Sequence, residues 1–255
     1  MILRRITEHV RAQNWFAVAL DFVIVVLGVF VAMQVANWNT ARAFDAQERA
    51  QLAAMRTEIE GDLARLTEQV AYYSAVASAG ERGLAFLDSG ADCGEACWPV
   101  LVDLFKASQW IDLGAAQSVY GEMRRQGLPR SPAVNAALET YYGSNLAINS
   151  ISNERPAYRL LIRGYIPAAA QQGMWRVCHD TPGGGIETFR PDCPAAIPAA
   201  ASAAAISKIR NDPSVHAGLT QWTATLAQLV KSMERHQVEA QDAIDAISAE
   251  LGDRQ

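Results

Sequence analysis

Between Phe16 and Trp38 the chain reads FAVALDFVIVVLGVFVAMQVANW, apolar almost throughout. From Trp15 to Trp38 the rise at 1.5 Å per residue is about 35 Å, enough for a hydrocarbon core of roughly 30 Å. A tryptophan stands at each end, Trp15 and Trp38, the residue that favours the headgroup level. Asn14, Asn37 and Asn39 place polar groups where water would begin. A buried core helix of this length would show a polar face, and this one has none. A cleaved signal peptide would share the apolar run from Phe22 to Ala32 and the basic lead of Arg4, Arg5 and Arg11. No A-x-A-like site comes after it, however, because Phe30 precedes Ala32 and Gln34 precedes Ala36 at the position required. The expectation is a retained transmembrane helix over 15–38.

Beyond the span, the chain is long enough for a domain of its own. Half of the chain is hydrophobic, so a sizeable core can form. The net charge of −5 and the scattered basic residues exclude binding to nucleic acid, which needs clustered Lys and Arg. Charge gives only a weak orientation: Arg4, Arg5, Arg11 and the terminal amine precede the helix, and Arg42, Arg49 and Arg56 come after it. The cysteines add more. Cys93 and Cys97 lie close together, as do Cys178 and Cys193, each pair in a loop rich in Gly, Pro and Asp. An even number of loop cysteines suits an oxidising compartment. Three pairings are open, of which the two local ones are favoured. A structural zinc on Cys93, Cys97, Cys178 or His179, and Cys193 is the rival, although C-x3-C is an unusual knuckle spacing. Residues 1–14 then form a cytoplasmic tail, 15–38 the crossing, and 39–255 a periplasmic domain at the inner membrane of a bacterium.

Periodicity assigns that domain to the all-α class. Leu52, Ile59, Leu63, Leu66, Val70, Tyr73 and Ala77 alternate in steps of four and three, with Arg56 the polar intruder. The membrane helix is expected to continue as a rod to about Leu87, with Ser89-Gly90 as its stop. At the other end, Asp212-Pro213 reads as a cap followed by proline at the first helical position. Val215, Leu219, Trp222, Leu226, Leu229, Met233, Ala240, Ile244, Ile247 and Leu251 then recur at helical spacing. These long first and last helices should pack antiparallel. Shorter helices are expected over 98–109, over 114–126 closed by Gly127, from Ser131-Pro132 onward, and over 198–210. Pro156 and Pro167 interrupt the stretch between, and no strand is expected.

Catalytic signatures are missing from the sequence, which has no G-x-S-x-G, H-E-x-x-H or Walker-type loop. Gly183-Gly184-Gly185 is followed by prolines rather than a helix start, so it reads as a flexible loop before a phosphate cradle. His179 with Asp180 suits a proton relay or a surface loop. Glu234, Arg235, His236 and Glu239 read as a solvated face. Tyr141-Tyr142, Trp110 and Trp175 suit core packing, or the wall of a ligand pocket. The expectation is a non-enzyme without a cofactor.

Asp21 is the anomaly of the span, about 9 Å deeper than Trp15 along a helix. A carboxylate there costs a few kcal/mol and usually faces protein or water. Ala17, Asp21, Val25, Gly28, Ala32 and Ala36 share one stripe, and Gly28-x3-Ala32-x3-Ala36 is a small-residue ladder that lets another helix approach. Gln34 and Asn37 offer interhelical hydrogen bonds from another face. Asp21 is therefore read as packed in a helix interface, with proton relay as the alternative. In the second reading LDFVIVVLG looks like the ion-carrying subunit of flagellar-stator and Tol/Exb-type motors. Those proteins end in peptidoglycan-binding or small α/β domains, whereas this domain reads as helical.

The first forty residues also resemble, as a block, the N-terminus of a family of uncharacterised bacterial single-pass inner-membrane proteins. The shared features are Arg5, Glu8-His9, Gln13-Asn14-Trp15, Asp21-Phe22, and Gln34 with Asn37-Trp38-Asn39. The resemblance implies a membrane module and no particular activity. The function expected is that of an accessory or scaffold subunit, whose partners are the membrane and other membrane subunits or copies of itself. The alternatives are a proton-coupled transducer through Asp21 and a ligand-sensing periplasmic bundle.

Overall fold

The computed structural model describes residues 15–111, 113, 118–153, 155–181 and 186–253. The tail before Trp15, the first residues of the helix expected over 114–126, and the triple glycine lie outside them. The chain divides between Gln51 and Leu52 into two compact units.

The first long helix, α1, spans Trp15–Ser89. It ends where expected: the Gly90 N–H donates to the Leu87 carbonyl, and Gly90 takes φ 63°, a conformation open to a residue without Cβ. A one-turn 3-10 segment, Gly94–Ala96, leads into α2, Cys97–Ala107. Then come α3, Ser118–Arg125; α4, Pro132–Ser152; α5, Ala157–Tyr165; and α6, Ala168–Val177. Pro132, Pro156 and Pro167 stand at helix starts, where a missing N–H costs nothing. Helix α7 covers Ala199–Arg210, and α8 covers Pro213–Asp253. The Asp212 cap forms, its Oδ1 accepting from the Ser214 N–H at 2.8 Å.

The class is all-α, with one departure. Strands β1, His179–Asp180, and β2, Thr188–Phe189, pair antiparallel, with His179 opposite Phe189. Two residues per strand are too few for an alternating pattern, so periodicity does not detect them.

In the unit from Leu52 onward, α1 and α8 lie antiparallel. Thr67 meets Gln237, Gly80 meets Thr223, Gly83 meets Leu219, and His216 bonds Asp88 at 2.7 Å. Two glycines set the approach. A Cβ on Gly80 would lie 2.7 Å from the Thr223 hydroxyl, and one on Gly83 would lie 2.9 Å from Leu104 and 3.4 Å from Leu219.

The buried seam of α1 is Leu52, Met55, Ile59, Asp62, Leu66, Tyr73, Val76, Gly80 and Gly83. Four of the expected seam residues are in it, but Leu63, Val70 and Ala77 are only half-buried. The second row of the seam thus lies one position to the N-terminal side of the expected one, and Arg56 is displaced by Met55. Helix α4 packs on α8, and α2, α5 and α7 close the other end around Phe105, Tyr158, Ile162, Ile206 and Trp222.

Candidate functional site

In the first unit, every described side chain from Phe16 to Arg42 is exposed. Among the described residues α1 is the one helix long and apolar enough to cross a membrane. Asp21, Val25, Gly28, Ala32 and Ala36 fall within an arc of about 80° at 100° per residue. Among the described residues, nothing lies within 4 Å of a Cβ built on Gly28. The backbone of Trp15 and Ala17 belongs to α1. Trp38 is exposed, and the Arg42 guanidinium sits 4.5 Å over its ring. Exposing this much apolar surface to water would cost about 25 cal/mol per Å², a cost that lipid or a partner helix would remove.

In the second unit, the cysteines pair locally: Cys93 with Cys97 and Cys178 with Cys193, each with Cα atoms 4.8 Å apart. The sulfurs that a zinc site would need are taken up in these bonds. Both disulfides hold loops against the core, and the Cys193 carbonyl accepts from Trp98 Nε1 at 2.8 Å. They are the mark of an oxidising compartment.

A polar layer crosses the seam. The Tyr141 hydroxyl donates to Asp62 at 2.9 Å, and Asp62 also accepts from Arg65. The His236 ring stacks on Tyr141 at 4.7 Å, and its Nδ1 lies 3.2 Å from Glu239. Tyr142 reaches Glu58. A cavity of about 30 Å³ beside Asp62, Gln69, Asn145 and His236 has room for a water. Burial lowers the His236 pKa, against a smaller opposing pull from Glu239, and burial raises the Tyr141 phenol. His236 is therefore a seam residue, not part of a solvated face: it fills the step between Met233 and Ala240, and only Glu234 and Arg235 are exposed.

A second polar group lies among aromatic rings. Tyr72 stacks on Phe189, Phe189 meets His179, and His179 packs on Trp175 and Phe105. The Arg163 guanidinium lies 4.8 Å over Phe105 and 5.6 Å from Trp175. His179 is buried with Nδ1 on the Met174 carbonyl at 3.0 Å, and its pKa is lowered chiefly by burial. It is not a surface loop residue. Trp110 lies elsewhere, on the Ser152 carbonyl, and the Tyr141-Tyr142 pair belongs to the polar layer. Sequence reading missed Asp62, Tyr72, Gln109, Arg159 and Arg163. The i, i+4 spacing of the two arginines was the available signal.

Compared with protein-family models, with curated proteins and with solved structures, the chain matches none of them.

Proposed function

We propose that the chain is a single-pass protein of a bacterial inner membrane, an accessory or scaffold subunit that associates through the small-residue face of α1 and through its helical domain. Residues 1–14 are cytoplasmic in this reading, 15–38 cross the bilayer and 39–255 lie in the periplasm. The observation that carries it is the exposure of every described side chain from Phe16 to Arg42, with Gly28, Ala32 and Ala36 exposed on one stripe and no described residue within 4 Å of a Cβ on Gly28. Small residues let a second helix backbone come close enough for packing to hold it. The two disulfides support the periplasmic side, and the resemblance of the first forty residues to single-pass inner-membrane proteins supports the module.

The test is extraction of native membranes in mild detergent, followed by sizing and mass spectrometry of the species that co-migrate. Stable membrane subunits or a homo-oligomer are expected, and Gly28→Leu should release them. A monomer unaffected by that change would end the reading. A second reading rests on Asp21, the sole charged residue between Phe16 and Ala41, which shares the ladder's stripe. Asp21→Asn keeps size and hydrogen bonding but cannot ionise. If the complex carries protons, this change stops the flux while assembly persists.

A further inference from the structure

The two disulfides differ in what surrounds them. Cys178 is fully buried, and its bond to Cys193 closes the loop that carries the strand pair. Cys93 is half-buried in a turn whose residues 90–92 and 94–96 are exposed, and its bond to Cys97 joins residues only four apart. Both of these cysteines line a cavity of about 470 Å³ between the turn and α7, where Ala203, Ile206 and Arg210 form the facing wall. A disulfide sulfur at the edge of such a space is open to attack by a thiolate.

The local fold does not rest on this bond alone. The Arg210 guanidinium donates to the Gly90 carbonyl at 2.6 Å and pairs with Asp92 at 2.8 Å, which ties the turn to α7. The Cys93 carbonyl accepts from the Ala96 N–H at 2.8 Å, and Leu101, Leu104 and Phe105 seat α2 in the core. Cys93 and Cys97 both have right-handed helical backbone, so neither is strained into place and the sulfurs stay opposed once the bond opens.

The two sulfurs are unequal. Cys97 is buried and is the first residue of α2, whose N-cap, Ala96, offers no side-chain acceptor. The first turn of α2 holds no acidic residue either. Negative charge on Cys97 Sγ would therefore meet the uncompensated positive end of the helix. The same sulfur lies 3.2 Å from the Gly94 carbonyl oxygen, an acceptor for the thiol once it takes up a proton.

We propose that Cys93–Cys97 is a thiol–disulfide exchange site that oxidises the dithiol of a polypeptide segment seated in the cavity. The apolar wall of Ala203 and Ile206 receives a side chain, and Ser207 and Asn211 beside it can bond peptide groups. One substrate thiolate attacks Cys93 Sγ, the Cys93–Cys97 bond breaks, and its electron pair leaves on Cys97 Sγ. A sulfur of lowered pKa is the faster leaving group, which suits Cys97 to that role. The second substrate thiolate attacks the substrate sulfur of the mixed disulfide and expels Cys93 as a thiolate. The substrate ends as a disulfide, and Cys93 and Cys97 take up the two protons it gave. A disulfide-bearing protein restores the bond by the same exchange in reverse. This activity goes beyond the membrane role proposed above and does not depend on it.

The test uses the full chain in lipid nanodiscs, with reduced, unfolded lysozyme as the polypeptide dithiol and glutathione as the small thiol. Thiol alkylation read by mass spectrometry follows each cysteine, and far-ultraviolet circular dichroism follows the fold. The polypeptide dithiol is expected to open Cys93–Cys97 while Cys178–Cys193 stays closed and the helical signal is unchanged. Cys97→Ser should trap a mixed disulfide on Cys93, and Cys93→Ser should trap about tenfold less on the buried Cys97. Ala96→Asp places a carboxylate at the start of α2 and should slow the opening about threefold, which exposure alone would not do. Equal trapping by the two cysteine variants, or an unchanged rate in Ala96→Asp, would overturn the proposal. So would opening that requires denaturant, or opening by glutathione alone, which would leave the bond as a structural link.

Discussion

Gly28 and Gly83 belong to the same helix and live in opposite surroundings. Around Gly28 a methyl group would touch nothing, and every described neighbour is exposed and apolar. Around Gly83 a methyl group would press on Leu104 and Leu219. The helix period is the same in both places, so backbone geometry does not separate them. The distribution of polarity does. The apolar stretch is apolar on every side apart from Asp21, Gln34 and Asn37, which suits a solvent without hydrogen bonds. The domain segment confines apolar residues to one stripe and even places Asp62 within it. One stretch of α1 is thus shaped for lipid or a partner helix, and the other for the rest of its own chain.

The sharpest way to break this contrast is to enlarge both glycines. Gly83→Leu should destabilise the helical domain by about 3 kcal/mol through overpacking, read by denaturant unfolding of the chain in detergent. Gly28→Leu should leave that unfolding within about 0.5 kcal/mol. Equal effects would abolish the distinction. The disulfides come next, because they restrain loops of the packed unit. Replacing Cys178 and Cys193 by Ser, which opens the longer loop, should cost about 3 kcal/mol, and the same change at Cys93 and Cys97 about 2 kcal/mol. Tyr141→Phe should cost about 2 kcal/mol, because it removes a hydrogen bond to the buried Asp62 carboxylate. Asp21→Asn should leave the same unfolding curve unmoved.

The smallest effect is pH dependence. His179 and His236 have pKa values lowered by burial, so the folded state prefers them neutral. Their contribution is fully present above the unfolded histidine value of about 6.5. It is lost as pH falls below that value, because the unfolded chain then binds more protons. Melting temperatures taken between pH 8 and pH 5 should decline toward acid, and His236→Gln should flatten the decline. A profile in which the substitution changes nothing would remove His236 from the seam.

Much of the fold was legible because it rests on local chemistry. The proline starts at Pro132 and Pro213, the Asp212 cap and the stop at Gly90 are each written within a few residues. The seam was legible only by half. Leu52, Ile59, Leu66 and Tyr73 declare one row, but the other row contains Asp62, the half-buried Gln69 and Gly83, which an apolar pattern passes over. His236 was hidden in the same way, since Glu234, Arg235 and Glu239 surround it with charge. Asp62, Tyr141 and His236 come from three helices, and no sequence spacing links them. The group around Arg163 is harder still, because Phe105, Gln109 and Trp175 meet it only after α2 and α6 are in place. The apolar stretch of α1 needed no such assembly. Its meaning lies in composition alone, which is why a single stretch of letters reveals it.

The pairing of α1 with α8 also orders events during synthesis. Thr67 and Gln237 are 170 residues apart, and Asp88 and His216 are 128 apart. Until the last helix leaves the ribosome, Leu52, Met55, Ile59 and Leu66 have no α8 to cover them. At roughly 5–20 residues per second, that interval lasts on the order of ten seconds or more. A nascent chain exposing such a stripe is open to wrong pairings until α8 arrives to cover it.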